Sequence, residues 1–443
     1  MGAVPFRRIG RLAIVIGLAL AVCTGCATGA SPNQNASPPP NGAPPGGEPG
    51  GGAQSETSGT AVTTFSADTS QASGSYASTG ADENAVRVEG GANVSLTGPA
   101  VNKTGDSSDT DNSDFYGMNA GILVRDGAVL TLSGGSVTTD ASGGNGIFVY
   151  NTPSSATISD ATIRTSKDNS GGIEVAGGGQ IIASNLDIVT QGNSAAALRS
   201  DRGGGTMNVT GGTYTTNGTG SPAIYSTAEI DVSGATLIAN NSEAVVIEGA
   251  NSVSLTNCTA TGDMAGTYGA DSGENIHSVM IYQSMSGDAT QGGGAFSMTG
   301  GSLTGINGDL FYVTNTTATI NLQNVALTEG IGNLLTVAGN DGSRGWGSLG
   351  NNGGSVTLTA SQQTLAGAIE VDSISSLDMS LASGSTFTGT INSTNLAGTV
   401  NVTLSADSKW VLTADANISA FNGSASNIVA QGHHLYAGGE QVV

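Results

Sequence analysis

Basic side chains are scarce in this chain: 12 Lys and Arg stand against 34 Asp and Glu, a formal net charge of −22 over 443 residues. Three of the twelve, Arg7, Arg8 and Arg11, fall at the very start, so the remainder is more acidic still. Such a surface repels phosphates and excludes nucleic acid as a partner. Aromatic residues make up 4% and charged residues 10%, which fits neither an ordinary helical domain nor a disordered polyelectrolyte. Cysteine occurs only at 23, 26 and 258. The first two lie in the N-terminal segment, so no intrachain disulfide framework closes the fold, and Cys258 reads as a small apolar filler. Histidine is confined to His277, His433 and His434, leaving His277 as the one internal candidate for proton transfer; at the start of a strand it reads more simply as structural or exposed. Glycine is the abundant residue, with 70 copies.

The arginines at the start belong to a secretory signal over residues 1–26. The basic PFRRIGR leads into the apolar LAIVIGLALAV and then Cys23-Thr24-Gly25-Cys26, with an apolar core too short for a comfortable membrane span. Gly25 before Cys26 resembles the cleavage site of bacterial lipoproteins, which implies that Cys26 becomes the lipidated first residue. Cys23 departs from the leucine usual three residues before the cut, and ordinary cleavage with release is the alternative. Residues 27–60, rich in Pro, Gly and Ser (SPNQNASPPPNGAPPGGEPGGG), read as a solvated tether. Together they place the chain on the outer face of a bacterial envelope, held to the membrane by an N-terminal lipid, or secreted.

Beyond the tether one phrase recurs: LSGGSVTT (132–139), ISDATIRT (158–165), ASNLDIVT (183–190), VTGGTYTT (209–216), VSGATLIA (232–239), LTNCTATG (255–262), MTGGSLTG (298–305) and LQNVALTE (322–329). The early copies start 23 to 26 residues apart, a solenoid period. A second apolar phrase sits in each period, such as GILV (121–124), GIFV (146–149) and GIEV (172–175). Short alternating strands with no helical pattern after the signal predict an all-β, parallel β-helix solenoid with three-faced coils. The third residue of each copy is Gly134, Asp160, Asn185, Gly211, Gly234, Asn257, Gly300 or Asn324, the residue types that tolerate φ > 0, so it predicts one left-handed corner per coil. Three positions on, Val137, Ile163, Ile188, Tyr214, Leu237, Ala260, Leu303 and Leu327 predict a stacked inward row.

With these phrases on view, the chain resembles the right-handed parallel β-helix (pectin-lyase-like) superfamily, and more closely the adhesin-like bacterial cell-surface lipoproteins built on that fold. Repeats over 61–365 carry the general rhythm. Residues 366–443, with AGAIEVDSISSLDMSLASGSTFTGTIN and GTVNVTLSADSKWVLTADANISAFNG, look like the closing coils of adhesin-like secreted proteins. The resemblance implies a non-catalytic adhesin-like surface lipoprotein that presents a side face to an extracellular glycan or cell-surface partner. The alternative it carries is a polysaccharide lyase or glycoside hydrolase, although the polygalacturonase-like signatures (an NTD strand end, a DD pair, GHG, RIK) are absent.

Two candidate sites remain. Were Ile147 and Val149 to point inward, Phe148 and Tyr150 would point out, and the same register would expose Tyr225, Tyr282 and Tyr312 on one face. That row is a ladder for sugar rings or a partner strand unless the long segments at 263–277, 284–296 and 338–354 fold back over it. The stretch GDSSDTDNSDFYG (105–117) gathers Asp106, Asp109, Asp111 and Asp114 between coils, oxygen ligands dense enough for Ca2+, or simply a solvated loop without the glycine and distal Glu of an EF-hand. No other cofactor is implied.

Overall fold

The computed structural model describes residues 56–266 and 275–443. The stretch read from sequence as a signal peptide, the expected lipidation site Cys26 and residues 27–55 of the expected tether lie outside the described residues. From Thr60 onward each coil sends one short strand into each of three sheets. The first sheet holds 12 strands, from Thr60–Phe65 to Ile369–Val371, the second 14, from Thr69–Ala72 to Ala420–Asn422, and the third 10, from Ser75–Ser78 to Ala326–Thr328. Each strand pairs in parallel with its counterpart one coil away, as in Ile147–Tyr150 with Ile173–Ala176 and Thr162–Thr165 with Asp187–Thr190. Parallel neighbours need long crossovers, and here the crossover is the rest of the coil.

The corner explains why the period is so regular. All eight predicted corner residues, from Gly134 to Asn324, have φ between 51° and 67°. Only Gly, and Asn or Asp at small cost, visits that region readily, so the phrase marks where the chain turns from the second sheet into the third. The inward row follows in register: Val137 pairs with Ile163, Ile163 with Ile188, Ile188 with Tyr214, and on to Leu327. From Val137 to Leu303 these side chains are at most 1% exposed, and Leu327 packs partly buried at the edge of the core. Burying each of the larger ones contributes about 1.5–3 kcal/mol. Cys258 sits fully buried in the same core, filling the space expected of it.

The last threonine of four successive phrases turns inward as well. Thr139, Thr165, Thr190 and Thr216 are buried, and each Oγ1 donates to the carbonyl five residues on, that of Gly144, Ser170, Ala195 or Ser221, at 2.5 Å. These bonds satisfy carbonyls at the turn from the third sheet back to the first, where no strand partner is available. Thr190→Val keeps the shape and removes the donor, so it is expected to lower unfolding free energy by about 1–3 kcal/mol, read as a shift in urea midpoint.

After Thr328 a four-stranded sheet (Thr364–Ala366, Thr386–Gly389, Lys409–Leu412, Ile428–Val429) carries the coils on while the second sheet continues. A three-stranded sheet, Ala416–Ile418, Leu435–Ala437 and Glu440–Gln441, contains the only antiparallel pair among the described residues, its last two strands.

Candidate functional site: the outward face of the first sheet

Alternation along the first sheet does point Phe148, Tyr225 and Tyr312 outward, in one register with Leu123, Glu174, Arg199, Val246, Met280 and Thr336. The row is nevertheless covered. Phe148 is 0%, Tyr225 2%, Tyr282 1% and Tyr312 5% exposed, which corrects the expectation of an open aromatic ladder. Phe148 packs with Ala120, Leu123 and Ala176, while Tyr225, Tyr282 and Tyr312 cluster with Val246, Met280 and Trp346. Tyr150 alone stays half-buried, edge-on to Tyr116 with ring centroids 5.4 Å apart. The segments at 284–296 and 338–354 fold back over the face.

One of the covers comes from the aspartate-rich stretch, which forms a helix, α1 (Thr110–Tyr116). Asp109 caps it, its carboxylate accepting from the Asn112 N–H at 3.1 Å, and Gly117 at φ 65° ends it. The four aspartates therefore part company. Asp106 pairs with Lys167 at 3.0 Å and accepts from the Ser142 N–H at 2.9 Å, Asp109 is spent on the cap, Asp111 stands in the first turn, and Asp114 points inward and is buried. No group of three or more His, Cys, Asp or Glu side chains among the described residues is placed to hold a metal ion. Helix formation sends the four carboxylates to different partners instead of to one centre.

Asp114 reaches a fully buried charge network. Arg199 Nη2 lies 3.2 Å from Asp114 Oδ1 and donates to Asp201 Oδ2 at 3.1 Å, and its Nε is 3.3 Å from Glu174 Oε1. Neither oxygen of Glu174 accepts a hydrogen bond. Burial, only partly offset by Arg199, raises the Asp114 carboxyl to about 6 and holds those of Glu174 and Asp201 well above the usual range. Beside them Arg202 donates to Asp288 at 2.6 Å and lies 3.8 Å over the Phe115 ring. Tyr225 and Tyr282 donate to Glu248 Oε2 at 2.6 and 2.7 Å, and Ser284 donates to Glu248 Oε1. Buried groups so engaged are closed to a substrate.

Further along, the cover leaves a pocket of about 280 Å³. Tyr312 and Trp346 form its apolar wall; Asn275, Asn340, Asp341, Ser343 and Arg344 supply polar atoms. The Arg344 guanidinium stands 5.2 Å from the Trp346 ring centroid. The segment is held in place by its own amides: Asn340 Nδ2 donates to Thr314 Oγ1 at 2.9 Å and to the Trp346 carbonyl at 3.0 Å, and Asn352 Nδ2 donates to the Asn340 carbonyl at 2.8 Å. His277, buried near this wall, has Nδ1 2.8 Å from the Asn275 carbonyl, Nε2 3.4 Å from Glu243 Oε1 and its ring centroid 5.3 Å from that of Tyr312.

Residues 99–279 match the family model for a right handed beta helix region. The chain carries a right-handed parallel β-helix. No curated protein and no solved structure matches it.

On this β-helix the pocket does not stand alone. A second hollow of about 320 Å³, lined by Glu370, Asp372, Thr394 and Leu396, shares Thr336 and Ala338 with the first. Together they make a groove crossing the strands Asp309–Thr314, Leu335–Val337 and Ile369–Val371, about 4.8 Å per strand. One end combines the aromatic wall with the Arg344 guanidinium and the Asp341 carboxylate, and the other carries the carboxylates of Glu370 and Asp372. Asp372 is already engaged, accepting from the Gly339 N–H at 2.8 Å and the Ile374 N–H at 3.1 Å. Of the expected contact residues the groove contains only Tyr312; Trp346, Arg344 and Asn340 were not singled out from sequence.

Proposed function

We propose that this protein is a non-catalytic, adhesin-like β-helix that binds an extracellular glycan through the groove between Tyr312 and Leu396, displayed outside a bacterial cell by an N-terminal lipid on Cys26. The observation that carries the reading is the pocket in which Tyr312 and Trp346 meet Arg344 and the amides of Asn275 and Asn340. A pyranose ring has apolar C–H faces and a polar edge, and a concave site with an aromatic wall and a few fixed polar groups matches both. Arg344 is one of only 12 basic residues in the chain. It shares the pocket with the Asp341 carboxylate, so the lining offers both signs of charge beside its amides and hydroxyls, a set suited to the hydroxyls of a sugar. The network of Asp114, Glu174, Asp201 and Arg199 is set aside as a catalytic centre because it is sealed.

The test is a glycan array and polysaccharide pull-down with the full chain, while the supernatant is assayed for new reducing or unsaturated ends. Saturable binding without product supports the proposal. Released oligosaccharide would replace it with the lyase or hydrolase reading, and absence of any saturable glycan would sink both.

A further inference from the structure

The cover over the first sheet is held by a network with too few positive charges. Asp114 comes from α1, Glu174, Asp201 and Glu248 from the first sheet and its edge, and Asp288 from the segment after Tyr282; all five are buried. Against these carboxyls stand two guanidiniums, Arg199 and Arg202. The remaining groups facing the network carry no compensating charge: Tyr225 and Tyr282 from the sheet, Ser284 from the covering segment, and Asp111 and Tyr116 from α1. With every carboxyl ionised the closed cover would seal three uncompensated negative charges away from water, which is strongly unfavourable. Glu174, whose two oxygens find no donor, is where the deficit is most evident.

We propose that the cover is an acid-closed latch: protons on the surplus carboxyls hold α1 and the segment around Asp288 against the first sheet, and losing them releases both and uncovers Phe148 and Tyr225. This inference does not depend on the glycan reading, since the groove at Trp346 lies on another segment. The sign follows from the carboxyls' raised values. A carboxyl that is harder to ionise folded than unfolded contributes fully below its unfolded value near 4, and that contribution is lost as pH rises through its folded value. For Asp114 that window runs from 3.8 to about 6; Glu174, Asp201 and Glu248 are raised as well, chiefly by burial. Release exposes an apolar row that a partner can then engage, so the device couples surroundings to surface.

Hydrogen exchange of the full chain, corrected for the intrinsic pH dependence of amide exchange, tests it. Peptides covering 110–117 and 283–292 are expected to exchange roughly tenfold faster at about pH 8 than at about pH 5, while peptides covering 136–165 of the third sheet do not change. Glu174→Gln together with Asp201→Asn keeps the shapes and removes two ionisable groups, so the double variant is expected to lose most of that difference; Glu248→Gln serves if the double variant does not fold. Equal corrected protection at both pH values in the unmodified chain overturns the proposal regardless of the variants, as does an undiminished pH effect in a folded variant.

Discussion

Arg199→Met is expected to destabilise the protein by about 3–5 kcal/mol near pH 6, while the cover is still closed, the largest stability loss foreseen here for one substitution. The methionine fills similar space, so the loss is electrostatic. Arg199 is the one cation within reach of Asp114, Glu174 and Asp201, all buried, and removing it strands three carboxyls in a medium that solvates none of them. The cost should shrink in acid, where those groups are neutral and need no counter-charge. A control sits on the third sheet, where Arg164 pairs with Asp187, side chains 38% and 54% exposed. Water screens that pair, and Arg164→Ala should cost less than about 1 kcal/mol. Urea midpoints at two pH values for both variants check the contrast, and equal losses would remove the special standing given to Arg199.

Trp346→Ala is expected to weaken glycan binding by about 30-fold or more, the scale of an aromatic anchor in a buried pocket, where the loss exceeds about 2 kcal/mol. Trp346 is 3% exposed, packs against Tyr282 with ring centroids 4.8 Å apart and anchors the segment that Asn340 and Asn352 tie down. Removing it empties the apolar wall and loosens the polar one. Because truncation of a buried indole also costs stability, Trp346→Phe is the companion variant: it keeps the packing, and binding should recover in part. Titration calorimetry against the glycan found on the array gives both numbers, and an unchanged Kd in a folded Ala variant moves the binding site away from this groove.

The fold was legible because its rules act at short range and repeat. A left-handed turn favours Gly, Asn or Asp, and the chain writes one at each of eight corners; an inward position favours an apolar residue, and the row from Val137 to Leu303 obeys. The site was less legible because its cover is built by contacts between distant segments. Arg202 meets Asp288 across 86 positions, and nothing periodic announces it. Alternation placed Phe148 and Tyr225 on the outer side correctly, yet which side faces water depends on α1 and the later loops. A sequence signal for the network did exist: GIEV and ALRS put Glu174 and Arg199 one coil apart inside otherwise apolar strands, opposite charges in adjacent register. The groove had a fainter one, an arginine and a tryptophan in the glycine-rich GSRGWG. The spread of Asp106, Asp109, Asp111 and Asp114 was hidden because the stretch lacks the apolar periodicity of a longer helix.

The corner that recurs once per coil also bears on how such a chain can change over generations. Gain or loss of a whole period returns each strand to a neighbour of the same kind, and the turns outside the phrase absorb steps of different length, whereas an insertion of one or two residues inside the phrase displaces the Gly or Asn from its turn and turns an apolar side chain to the wrong side. The phrase is therefore the part of each coil that must be kept whole, with one further restriction. The coils that carry Glu174 and Arg199 are bound to α1 and to the segment around Asp288, and that group must be passed on together or not at all.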